Sequence, residues 1–180
     1  MKILAIESSA KAASVAITDN QKILGEFYLN IGLTHSQTLA PMIQNLLEST
    51  NLSIDEIDAF AVAVGPGSFT GIRIGVSTIK GMAFALNKPC IGVSTLEGMA
   101  FNIPIYEGII CASMDARCNQ VYNALFEIKD GLPKRLTNDR AISIENLKQE
   151  LKLSQKKVIF VGDGAEICYN NMIIYFYDKD

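Results

Sequence analysis

Residues 58–86 read DAFAVAVGPGSFTGIRIGVSTIKGMAFAL, and this stretch constrains the fold more than any other. AFAVAV has no polar alternation, which is the pattern of a strand buried on both faces. The Gly and Pro residues that follow force a tight turn, and from about Thr70 to Leu86 the apolar positions recur with helical periodicity. A doubly buried strand that turns straight into a long helix is the building unit of an α/β layer.

The flanking segments supply the rest of such a layer. Lys2 to Ile6 and Ser14 to Ile17 read as strands joined by ESSAKAA, and the turn signal Asp19-Asn20 leads to a third strand, Lys22 to Leu29. Thr34 and Gln37 have capping-box spacing ahead of Leu39, Ile43, Leu46 and Leu47, a helical run that Pro41 should kink or restart. Ser53 with Glu56 marks a further helix start. Beyond the long helix, Asn87-Lys88-Pro89 is a stop, CIGV a strand, and Ser94 with Glu97 the start of a short helix. Three strands, helix, strand, helix, strand, helix predicts a mixed sheet. After residue 103 the pattern begins again. GIICASMDAR ends a strand in an acid, as KILAIE does, VYNALFEI leads to the turn Lys129-Asp130-Gly131, and VIFVGDGAE echoes AVAVGPGSF. The expected organisation is a first lobe at 1–103 and a duplicated, smaller lobe at 104–180. Met172 to Tyr177 is an uncharged apolar and aromatic run that must be buried, or else the chain is incomplete.

Composition excludes several functions. The 180 residues are 49% apolar, enough for one compact domain or two small lobes. Sixteen Lys and Arg against 19 Asp and Glu give a net charge of −3 with no basic track, which disfavours autonomous nucleic-acid binding. Neither a signal peptide nor a membrane-length apolar run is evident, so a soluble cytoplasmic protein is expected. Cys90, Cys111, Cys118 and Cys168 form no C-x-x-C pair and have one histidine for company, which reads as packing thiols rather than zinc ligands.

The glycine loop meets neither nucleotide fingerprint. A Walker A loop needs Lys-Ser/Thr where Ile72-Arg73 stands, and the dinucleotide pattern needs a glycine where Thr70 stands. The helix start still offers free amides to an anion. The structural alternative is that Gly65 and Gly67 permit the turn, Pro66 stiffens it, and Ser68 or Thr70 caps the helix. Along that helix, Ile72, Val76, Ile79, Ala83 and Leu86 share one face, Gly71, Gly75, Thr78 and Met82 a second, and Arg73, Ser77, Lys80 and Asn87 a polar stripe. The second face fits either a protein partner or the Leu39–Leu47 helix of the same chain. Glu7 and Asp115 fit either a magnesium site for phosphoryl transfer or polar strand ends. His35 has no G-x-S-x-G elbow to work with.

Together, ILAIESSAKAASVAI, THSQTLAPMIQNLL, DAFAVAVGPGSFTGIRIGVSTIKGMAFAL and SMDARCNQVYNALF with VGDGAE resemble the TsaB (YeaZ) family over most of residues 1–166. The resemblance implies a two-lobed actin-like ATPase or RNase H-like fold. It also implies a non-catalytic role as the partner of TsaD, which transfers a threonylcarbamoyl group to the tRNA adenosine beside the anticodon, with TsaE as the ATPase of the complex. The implied contact, with TsaD or with a second copy in its absence, comprises Leu39, Met42, Ile43 and Leu46 on one helix and Ile72, Gly75, Val76, Ile79 and Met82 on the other. Gly65, Pro66, Gly67, Ser68, Phe69, Thr70 and Gly71 would anchor the second helix. A charge at Val76 or Ile79 should then abolish assembly and leave the monomer folded. Contact with tRNA would be indirect, and no cofactor, metal or membrane is implied. TsaD itself needs a pair of histidines on one helical face, which His35 alone does not supply. Glu7 stands where many relatives have Asp, so Glu7 and Asp115 would be at most a vestige of a nucleotide or metal site. Relatives continue past VGDGAE with further helix and strand, so the tail predicts an incomplete second lobe. The alternative is a small phosphotransferase of the sugar or acetate kinase type that uses Glu7 and Asp115.

Overall fold

A computed structural model of the chain describes residues 1–176. Two compact units follow one another along the chain, the first Met1–Thr95 and the second from Leu96 onward.

The first unit begins with the antiparallel meander β1 (Lys2–Glu7), β2 (Ala13–Asp19) and β3 (Lys22–Leu29). Helix α1 (His35–Thr50) follows, then one 3-10 turn (Ile54–Glu56), β4 (Ala59–Gly65), α2 (Phe69–Leu86) and β5 (Cys90–Ser94). The sheet order is β3-β2-β1-β4-β5, with β1, β4 and β5 mutually parallel and β2 antiparallel to both neighbours. This is the mixed-sheet order of the RNase H-like fold. Strand β4, which lacks polar alternation, is mostly buried but leaves Val64 exposed, and β5 at the sheet edge is exposed along most of its length, so the doubly buried strand expected from the sequence is only partly covered. Register places Leu4, Ile6, Val15, Ile17, Phe60 and Val62 on one face, where they form a core with residues of α1 and α2.

Three features depart from the sequence reading. Thr34 precedes α1 but makes no side-chain cap, its hydroxyl pairing with Ser36 Oγ at 3.2 Å, so the Thr34–Gln37 capping box does not form. Pro41 does not restart its helix, because α1 runs unbroken through it. Its ring lies on the exposed side, and the buried Leu39, Met42, Ile43 and Leu46 hold the helix to the sheet at about 1.5–3 kcal/mol each, more than one lost backbone bond costs. Ser53 and Glu56 do form a reciprocal capping box, with Ser53 N–H donating to Glu56 Oε2 at 3.0 Å, but the helix they cap is a single turn.

The second unit repeats the order. It opens with the short α3 (Thr95–Phe101), which contributes the buried Leu96 and Ala100. Then β6 (Ile109–Arg117) pairs antiparallel with β7 (Gln120–Lys129), whose other edge takes β8 (Leu132–Arg135) at one end and β9 (Arg140–Ser143) at the other. These two short strands together occupy the place that β3 fills in the first unit. Helix α4 (Ile144–Ser154) leads to β10 (Val158–Val161), parallel to β6 as β4 is to β1, and then to α5 (Ala165–Phe176). Gly162 ends β10 at φ +105°, as Gly65 ends β4 at φ +111°. The duplication expected from the sequence is therefore present in the topology. Met172 is buried with Cys168 in this unit's core; the side chains in the rest of the run to Tyr177 lie outside the described residues.

Candidate protein interface

The loop between β4 and α2 is tied to the hairpin that leaves β1. Ser68 caps α2 by accepting from Gly71 N–H at 3.2 Å, and its own N–H donates to the Ser9 carbonyl at 2.6 Å. Ser8 Oγ donates to the Gly71 carbonyl at 2.9 Å. A Cβ on Gly67 would stand 2.4 Å from the Ser9 carbonyl oxygen and one on Gly71 2.1 Å from that of Ser8, closer than any side chain allows. Gly67 also sits at φ +152°. GPGSFTG is thus built to let the Ser8–Ser9 backbone touch the start of a helix. Of the two caps considered, Ser68 is the one used.

His35, the first residue of α1, joins the same junction. Its Nε2 lies 2.8 Å from the Ala10 carbonyl. A carbonyl only accepts, so this nitrogen carries the proton and donates. The imidazole is thereby occupied in pinning α1 to the hairpin.

The side chains proposed for the interface divide sharply. Leu39, Met42, Ile43, Leu46 and Ile79 are 0–3% exposed and belong to the core. Each helix has one strongly apolar stripe, and the sheet takes it. Gly75 is buried too, with a Cβ position 2.3 Å from Ser8 Oγ, so the small-residue face meets the hairpin rather than a partner. Val76 and Met82 are half-buried and packed on that core, and Ile72 is half-buried beside Gly65. A charge at Ile79 would therefore disrupt folding itself, which disqualifies it as a probe of assembly.

What α2 presents outward is the set Phe69, Arg73, Ser77, Lys80 and Phe84, all exposed. At 100° per residue these five fall within an arc of about 80° and span about 22 Å of helix. Phe69 is 68% and Phe84 90% exposed, and the Arg73 guanidinium lies over the Phe69 ring at 3.8 Å from its centroid. Beside this stripe runs a groove of about 510 Å³ lined by Ser36 of α1 with Phe69, Thr70, Arg73, Ile74, Ser77 and Thr78. The sequence reading saw the polar members of this stripe and missed its aromatic ends. Counting Phe69 and Phe84 on the angular wheel with Arg73 and Lys80 would have revealed them.

The two carboxylates considered for metal or nucleotide chemistry serve their own hairpins. Glu7 Oε1 accepts from Ser9 N–H, and Asp115 Oδ1 accepts from Arg117 N–H at 2.7 Å. They belong to different units. Of the cysteines, Cys111 and Cys168 are buried, and burial raises the pKa of both thiols, while Cys90 and Cys118 are exposed. Among the described residues no helix is long and apolar enough to cross a membrane.

Several known proteins are similar to this chain. A family model described as "TsaD: tRNA N6-adenosine threonylcarbamoyltransferase" matches residues 30–175. The tRNA threonylcarbamoyladenosine biosynthesis protein TsaB of Bacillus subtilis is 33% identical over 93% of this chain and 73% of its own length. The protein of the same description from Escherichia coli is 39% identical over 91% of this chain and 72% of its length. The solved structure of YeaZ from Pseudomonas aeruginosa superposes with a TM-score of 0.73 at 30% identity, covering 80% of this chain and 68% of that one.

Proposed function

Because the chain belongs to the TsaB (YeaZ) family of tRNA threonylcarbamoyladenosine biosynthesis proteins, we propose that it serves that modification by binding the transferase TsaD rather than by catalysis. The observation that carries this reading is the outward stripe of α2. Two phenylalanines lie open to water on a helix whose main apolar face is taken by the core and whose Gly71 and Gly75 meet the hairpin. Aromatic and Arg side chains are the types enriched where partners dock. The proposed contact is thus the outer face of α2 and the groove it shares with α1. Leu39, Met42, Ile43, Leu46, Gly75 and Ile79 act from beneath to hold the helices in place, and the loop Gly65–Gly71 fixes where α2 begins. Val76, Met82 and Ile72 flank the surface. A second copy of the chain is the proposed occupant when TsaD is absent, and TsaE is a further proposed member of the complex.

Light scattering after size-exclusion chromatography tests the proposal, on the chain alone and mixed with its cognate TsaD. A heteromer is expected from the wild type. Phe84→Asp should remove it while the melting temperature stays within a degree or two, since the ring is 90% exposed. A heteromer that survives both Phe84→Asp and Phe69→Asp would place the contact elsewhere.

A further inference from the structure

The charge on this stripe bears on which occupant it prefers. Helix α2, FTGIRIGVSTIKGMAFAL, contains Arg73 and Lys80 and no acid at all, in a chain whose net charge is −3. Both cations lie on the outward arc between the two phenylalanines, and neither has a carboxylate at ion-pair distance among the described residues. Of α1, Ser36 lines the same groove; its exposed positions Gln37, Gln44 and Asn45 are neutral, and its exposed acid, Glu48, accepts from Gln44 Nε2 at 2.9 Å. The surface therefore offers apolar anchors at its ends and uncompensated positive charge between them.

We infer that the α2 stripe is matched to an acidic protein face, one with apolar sockets about 22 Å apart and carboxylates between them, and that the same charge selects against self-pairing. This inference rests on the reading of α2 as the TsaD contact. A two-fold pairing of α2 with a second copy would bring two Arg73 and two Lys80 into one interface, within a Debye length or so of one another, with nothing on the helix to neutralise them. An acidic partner instead neutralises both cations. Complementary charge raises the association rate, while like charge excludes the wrong partner. Exchange from self to partner then needs no conformational switch. The repulsion in one pair and the attraction in the other drive it.

The two pairs must consequently respond to salt with opposite sign. Binding to cognate TsaD, followed by calorimetry or interferometry, should weaken about tenfold or more between 50 and 500 mM NaCl, whereas self-association, followed by sedimentation, should strengthen severalfold. The double variant R73E/K80E changes exposed side chains only and should keep the wild-type melting temperature. It should bind TsaD at least about tenfold more weakly at 50 mM NaCl, and when mixed with wild-type chain it should form the mixed pair in excess of the statistical proportion. R73K, which keeps the charge, should keep the salt response.

TsaD binding that ignores both salt and R73E/K80E, yet is lost in Phe84→Asp, would overturn the charge inference and leave the interface reading intact. Self-association that weakens with salt would overturn it as well. No TsaD binding at any salt would overturn the interface reading together with the inference that depends on it.

Discussion

Helix α2 allows one substitution, glycine to alanine, to be made at positions where it should act in opposite directions. In a solvent-exposed helix this change stabilises by roughly 0.5–1 kcal/mol, because alanine has less backbone freedom to lose. Gly81 is such a position. It is exposed, and nothing lies within 4 Å of where its Cβ would stand. At Gly71 the same methyl would meet the Ser8 carbonyl oxygen at 2.1 Å, against at least 3.4 Å for ordinary contact, so the hairpin must retreat by more than an ångström. That retreat breaks the bonds from Ser68 N–H to Ser9 and from Ser8 Oγ to Gly71. A buried hydrogen-bonding group left unmet costs about 1–3 kcal/mol. Set against the propensity gain, Gly71→Ala should lose about 2–4 kcal/mol, most of it steric and hydrogen-bond loss. Gly75→Ala falls between the two, because the obstacle there is the rotatable Ser8 Oγ at 2.3 Å. Urea unfolding followed by circular dichroism measures the series, as the chain has no Trp to report by fluorescence. With slopes of roughly 1–3 kcal/mol per molar urea, Gly71→Ala should lower the midpoint by about 1 M or more and Gly81→Ala should raise it. Equal effects at 71 and 81 would refute the account of the loop as a built contact with the hairpin.

The adjacent serines should also part company. Ser8→Ala removes the donor to Gly71 and should cost about 1 kcal/mol, whereas Ser9→Ala removes a buried hydroxyl that has no partner among the described residues and should be neutral or stabilising; thermal melts of the two variants decide it. His35→Ala frees the start of α1 from Ala10 and should cost about 1–2 kcal/mol in the same measurement, more than His35→Gln if the amide reaches the carbonyl. Iodoacetamide at pH 8 should label Cys90 and Cys118 in the native chain and reach Cys111 and Cys168 only after denaturation, as mass spectrometry of the peptides would show. The folded Cys111 thiol stays protonated past its ordinary value of 9.0, so between pH 9 and 11 the folded state holds a proton that the unfolded chain has lost, and stability falls as pH rises. Cys111→Ala should flatten that slope in urea midpoints measured across the range.

Much of the fold was legible because its elements are locally self-consistent. Lys22–Leu29 alternates and is bounded by turns, and it was read to the residue. The bounds of AFAVAVG and of the helix after it were legible within a residue, although the strand is not buried on both faces throughout, since Val64 is exposed. Residues 132–154 were not read, and the reason differs by element. Strands β8 and β9 are four residues each and exist by pairing with β7, a tertiary cause with almost no local signal. Helix α4 did carry a signal, a Ser143 cap and Ile144, Leu147 and Leu151 on one face, and it was overlooked. Along α2, periodicity separates the faces but does not say which one the sheet takes. That depended on Ser8, 63 residues away in sequence from Gly71. The small face, which looks made for a partner helix, is covered by a backbone hairpin that no local pattern announces.

The contiguity of the first unit matters for the order in which the protein is made. Its central strand β1 finds a partner in β2 at once, but its second neighbour, β4, begins at residue 59, and its hairpin is clamped only when Ser68 and Gly71 have been added. These long-range closures make the unit slow to nucleate for its size. Once residue 95 is free of the ribosome, however, every residue of the sheet, of α1 and of the α2 stripe is in hand. Domains fold N-terminal first during synthesis. The first unit, with the α2 stripe proposed as the docking surface, is therefore able to fold in the nascent chain before the second unit is complete.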